Sequence, residues 1–133
     1  MIPYRNCVLL ADRHHGLRDS VRGLLETEFE TVFMVATETA LLDGAERLQP
    51  AVVVFDLSMC HGDLSGLIAR VRAGASHARV LLLSVHDEPT VAAAAMAAGA
   101  DAVVLKRSLS TDLMPAMDAV LAGQTYLSPG IAP

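Results

Sequence analysis

Five short apolar runs, each followed by a helix-length stretch of different periodicity, constrain this chain more than any other feature. CVLLA (7–11), TVFMVA (31–36), AVVVF (51–55), RVLLL (79–83) and AVVL (102–105) lack the polar alternation of a half-exposed strand. They have the composition of strands buried on both faces. Between them, Leu17, Val21, Leu24 and Leu25 form a helical stripe ending near Phe29, with Arg18, Asp19, Arg22 and Glu26 outside it. Leu41, Ala45 and Leu48 mark a second helix that Gln49-Pro50 stops, at a cost of about 1 kcal/mol for Gly44 inside it. Leu64, Leu67, Ile68 and Val71 give a third, closed by Gly74, and an alanine-rich fourth runs from Pro89 to Gly99. Leu113, Met117, Val120 and Leu121 give the last, closed by Gly123. Pro115 must cost that helix a hydrogen bond, bend it, or push its start beyond Ser110. Strict alternation of this kind predicts a three-layer α/β domain, a parallel sheet covered by helices on both faces.

Composition narrows the function. One hundred and thirty-three residues suit one domain, and 53% apolar with only 4% aromatic residues builds its core from Val, Leu, Ala and Met. A formal charge of −5 excludes direct nucleic-acid binding by this chain, since counterion release needs clustered Lys and Arg. Cys7 and Cys60 have no metal-type spacing and read as reduced thiols, Cys7 in the core and Cys60 in a loop, which suits a cytoplasmic protein. No apolar stretch approaches the ~20 residues of a membrane span, and the N-terminus has no signal-peptide pattern. Only the tail GQTYLSPGIAP (123–133) has linker composition.

Polar groups stand at the ends of four of the five runs: Asp12, Asp56, Ser84 and Lys106. In a parallel sheet all four converge on the carboxyl edge, where α/β folds bind ligands. Two carboxylates, a hydroxyl and an ammonium suit phosphoryl transfer to an aspartate. Asp56 would be the nucleophile and Asp12 would hold a hard cation, with Ser84 and Lys106 as donors to phosphoryl oxygens.

LLADRHH, VVVFDLSM, VLLLSVHDEP and GADAVVLK resemble the four motifs of the response-regulator receiver domain, and Ser84 and Lys106 follow Asp56 by 28 and 50 residues, as in the NarL/FixJ (LuxR-type) subfamily. The resemblance implies a CheY-like, flavodoxin-like fold with five strands in the order 2-1-3-4-5 and five helices. It implies a regulatory domain, not an enzyme, phosphorylated on Asp56 by a sensor histidine kinase, with Mg2+ held by Asp12, Asp56 and the backbone of Ser58. It further implies dimerisation, and a receiver over residues 1–122 leading through 123–133 into a C-terminal helix-turn-helix DNA-binding output domain.

Departures from the family pattern bear on the metal and the switch. Arg13 stands where a second acid is expected; within reach of Asp56 it would pair with that carboxylate and stand in for the metal's charge. Val103 occupies the aromatic switch position, Cys60 replaces a common proline, and Arg107 stands where an acid or proline is frequent. A degenerate receiver acting through protein contact, independently of phosphate, is therefore the alternative function. A nucleotide-binding reading lacks a glycine-rich cradle, ADRHHGLRDS offering one Gly, and an aspartate-based phosphatase would need an acid at Ser58. His14, His15, His61 and His86 fall on loops at the same edge without a known ligand spacing, and read as surface residues. His86-Asp87-Glu88 reads as a cap to the fourth helix.

Overall fold

The computed structural model describes residues 4–131 of the chain. Its strands and helices alternate as β1 (Tyr4–Ala11), α1 (His15–Leu25), β2 (Thr31–Val35), α2 (Glu38–Leu48), β3 (Pro50–Asp56), α3 (Leu64–Gly74), β4 (Arg79–Ser84), α4 (Pro89–Ala97), β5 (Ala102–Leu105), α5 (Leu109–Leu121) and β6 (Tyr126–Leu127). The sheet is parallel and ordered β2-β1-β3-β4-β5-β6. The side chains of Leu17 and Arg18, expected on opposite faces of the first helix, lie outside the described residues, as does that of His15.

Each central strand divides its residues between two cores, which is why the apolar runs show no polar alternation. Leu9, Val53, Phe55, Leu82 and Val103 point to one side and pack with Leu41 and Ala45 of α2, Leu67, Ile68 and Val71 of α3, and Ala92 and Ala95 of α4. Val8, Leu10, Val52, Val54, Leu81, Leu83 and Val104 point to the other, against Val21 and Leu25 of α1 and Leu113, Met117 and Val120 of α5. Burying each of the Val, Leu, Ile, Phe and Met side chains among them stabilises the fold by about 1.5–3 kcal/mol. Gly44 has a packing reason: a Cβ there would come within 3.2 Å of Leu9 Cδ2, so the glycine lets α2 approach β1 closely.

Two expectations are corrected, and of the alternatives open for Pro115 one is removed. The first helix stops at Leu25, four residues short of Phe29, where a turn takes over. α5 starts at Leu109 and carries Pro115 inside it, so its start is not displaced; Pro115 is exposed, on a side of the helix where the carbonyl left without a partner can meet water. Within the tail, Tyr126 and Leu127 form a sixth strand where five were expected. Tyr126 and Leu127 pair with Ala102 and Val103, Ser128 N–H donates to Val103 O at 3.0 Å, and Ile131 joins the core. Its Gly, Ser and Pro content hid two apolar residues long enough to cover the exposed edge of β5.

Candidate functional site

Parallel register brings the ends of β1, β3, β4 and β5 to one edge of the sheet. Ala11 lies beside Phe55, Asp56 beside Leu83, and Ser84 beside Leu105, so Asp12, Asp56, Ser84 and Lys106 emerge together. Asp12, Asp56 and Ser84 are each at most 2% exposed. They are polar groups in a setting that demands partners.

Asp56 has them. Its Oδ1 accepts the Ser58 N–H at 2.9 Å, capping the short 3-10 turn Leu57–Met59, and its Oδ2 accepts from Lys106 Nζ in a close ion pair. Asp12 is served on one side only. Its Oδ1 accepts the His14 N–H at 2.8 Å and faces His14 Nδ1 at 3.1 Å. Its Oδ2 is buried, has no hydrogen-bond partner among the described residues, and lies 3.7 Å from Lys106 Nζ. Two buried carboxylates thus share one ammonium.

The other singled-out residues are placed differently. Arg13 does not reach either carboxylate by a hydrogen bond; its Nη2 donates to the Ser58 carbonyl at 3.3 Å. The expected Arg13–Asp56 pair is therefore replaced by a contact to main chain, the exposed side chain passing over the mouth and leaving Asp56 to Lys106. Ser84 Oγ accepts the His86 N–H at 2.9 Å and donates to His86 O at 3.2 Å, so its hydroxyl is turned into its own loop. Val103 is buried in β5, and Cys60 is half-buried against the α2–α3–α4 core. Arg107 pairs with Asp87 at 2.9 Å and donates to Gly130 O at 3.4 Å. Glu88, not Asp87, precedes α4, and its side chain makes no capping bond.

His14 reads from the sequence as a surface histidine, and its side chain is 64% exposed. Its ring nonetheless joins the acids: Nδ1 is 3.9 Å from Asp56 Oδ2, and Asp12, His14 and Asp56 form a group whose ligand atoms all lie within 4.8 Å of one another. The usable signal was local. An aspartate two residues before a histidine at a helix start accepts its backbone N–H and so fixes where the ring emerges.

The sequence matches the response regulator receiver domain family over residues 8–118. It is 32% identical over 129 residues to the transcriptional regulatory protein MctR of Rhizobium johnstonii, covering 93% of this chain and 59% of that protein. It is likewise 32% identical to the transcriptional regulatory protein UhpA of Escherichia coli, covering 94% and 63%. The chain therefore spans about six-tenths of the length of these curated relatives. Among solved structures, a LuxR-family two-component response regulator from Aurantimonas sp. SI85-9A1 superposes with a TM-score of 0.84 at 27% identity, covering 96% of this chain and 92% of that one. The non-phosphorylated receiver domain of the stress response regulator RcsB from Escherichia coli gives a TM-score of 0.77, also at 27% identity, covering 92% and 98%.

Receivers of this kind bind Mg2+ through acidic residues. The donor set here does not fit that ion in the expected way. Mg2+ requires near-octahedral oxygen coordination. In this chain the second acid is a guanidinium, and that guanidinium holds the Ser58 carbonyl, the main-chain oxygen expected to complete the site. What remains is two carboxylates and an imidazole.

Proposed function

The chain belongs to the response regulator receiver domain family and is the receiver domain of a LuxR-family two-component regulator, and from that premise we propose that Asp56 accepts a phosphoryl group from a sensor histidine kinase. The observation that carries this reading is the Lys106–Asp56 ion pair at the mouth of β3, with the other carboxylate oxygen fixed by Ser58 N–H. In the step, an Asp56 oxygen forms the new bond to phosphorus while the phosphorus–nitrogen bond of a phosphohistidine breaks, its electron pair staying on the imidazole. Lys106 neutralises charge on the transferring oxygens at a water-poor site. Ser84 can donate to a phosphoryl oxygen once its hydroxyl leaves His86, and that exchange would carry the His86–Asp87 loop with it.

The length of the relatives supports an attached DNA-binding output domain, controlled through altered self-association or release of that domain in the cytoplasm. No helix among the described residues is long and apolar enough to cross a membrane. A phosphorylation-independent receiver is the second reading, favoured by one contact: Arg13 on the Ser58 carbonyl places a fixed cation beside the acceptor.

Incubation with acetyl phosphate and Mg2+ or Mn2+, followed by intact mass, separates the two readings. A single phosphoryl adduct, absent from Asp56→Asn, is expected. An unmodified mass with both cations would overturn the phosphoacceptor reading and leave the second.

A further inference from the structure

The failure of this site to fit Mg2+ is specific in kind: an oxygen donor is missing and a nitrogen donor stands nearby. We propose that Asp12, His14 and Asp56 form a binding site for a borderline divalent transition ion, with Zn2+ the reference case, in preference to Mg2+.

Geometry carries the proposal. Zinc–ligand bonds of about 2.0–2.2 Å put two ligands of one ion roughly 3.0–3.5 Å apart. His14 Nδ1 lies 3.1 Å from Asp12 Oδ1 and 3.9 Å from Asp56 Oδ2, and the three ligand atoms all lie within 4.8 Å of one another, so one ion between them asks for an inward movement of the exposed ring and of the carboxylates. Asp56 Oδ2 has a second lone pair beyond the one that meets Lys106. An independent observation points the same way. Among the described residues Asp12 Oδ2, buried and 3.7 Å from Lys106 Nζ, accepts no hydrogen bond, which leaves its lone pairs free to chelate a cation.

Donor chemistry then selects the ion. Mg2+ takes oxygen ligands and keeps much of its water, whereas an imidazole suits the later first-row metals, whose affinity for nitrogen rises along the series. Two carboxylates and one imidazole leave room for water, the open arrangement of three protein ligands. Arg13 keeps the Ser58 carbonyl and so does not compete for the three donors. The site lies in the pocket of the proposed phosphoacceptor but needs no phosphorylation.

Equilibrium dialysis of the full chain against Zn2+ and, separately, Mg2+, with metal analysis and no phosphodonor, tests it. One tightly held Zn2+ per chain is expected, at a Kd at least tenfold below that for Mg2+. His14→Ala should weaken Zn2+ at least tenfold and leave Mg2+ within twofold, with circular dichroism verifying the fold. Co2+ supplies a spectroscopic readout, its visible absorption changing on loss of the imidazole. Unchanged Zn2+ binding by His14→Ala would mean that Cys60 or other histidines hold the ion, and would overturn the proposal, as would equal affinity for Zn2+ and Mg2+. Zn2+ binding without any phosphoryl adduct would sink the phosphoacceptor reading alone, and an adduct without selective Zn2+ binding would sink this one alone.

Discussion

Arg13 Nη2 donates to the main-chain carbonyl of Ser58 at 3.3 Å and leaves the Asp56 carboxylate to Lys106. The guanidinium thus opposes Mg2+ by holding a neutral oxygen and adding positive charge, not by neutralising the acceptor. Such a single, long, exposed contact contributes little to stability. Arg13→Asp should therefore raise Mg2+ affinity by about tenfold or more. Isothermal titration calorimetry reads this directly, and the unfolding free energy should change by no more than about 0.5 kcal/mol.

Lys106 has the opposite weight. Its side chain is 14% exposed, and its ammonium serves Asp56 Oδ2 while standing 3.7 Å from Asp12 Oδ2. Removing it leaves two buried carboxylates facing each other without a cation, so Lys106→Met should cost about 3 kcal/mol. Urea denaturation measures the loss. Adding Zn2+ should recover part of it, because a bound ion stabilises only the folded state.

How far the sequence could be read follows from which contacts are local. The strand mouths were legible because burial on both faces makes β1, β3, β4 and β5 unmistakably apolar, so that Asp12, Asp56, Ser84 and Lys106 stand out as their polar ends. Side-chain direction was not legible. Whether Arg13 meets Asp56 or Ser58 O depends on how the Leu57–Met59 turn presents its carbonyls, and whether Ser84 faces the acceptor depends on the His86 backbone. His14 was hidden for the same reason, since its role is set by an Asp12 contact across two residues and by Asp56 across the sheet. β6 was not legible because it pairs through backbone groups, which composition does not reveal.

Ser128 ties that tail to the switch edge. Its Oγ accepts the buried Leu105 N–H at 3.0 Å, one residue before Lys106. Ser128→Ala would strand that amide, at a cost of about 1–3 kcal/mol. Hydrogen exchange should then show faster opening of the Leu105 amide and of the β5–β6 pairing, with the Asp12 end of β1 unaffected. Equal protection in mutant and wild type would mean that the backbone pairing of β6 and the packing of Ile131 hold the tail without help from the Ser128 hydroxyl.

The alkaline side of the stability curve rests on one buried acid, Cys7, and one half-buried acid, Tyr126. Burial pushes the Cys7 thiol above its ordinary value, and burial, with a smaller contribution from the Asp112 carboxylate, pushes Tyr126 up likewise. In both cases the folded state holds the proton more tightly than the unfolded chain. Each contribution is therefore complete below the unfolded pKa and is lost as pH rises through the folded one. Stability should decline from about pH 8.5 for the thiol and from about pH 10 for the phenol. Denaturation midpoints across that range should fall in wild type, fall later in Cys7→Ala, and flatten at the top in Tyr126→Phe. Over the same range the half-buried Cys60 should be alkylated by iodoacetamide in the folded protein while Cys7, 1% exposed, reacts only on unfolding.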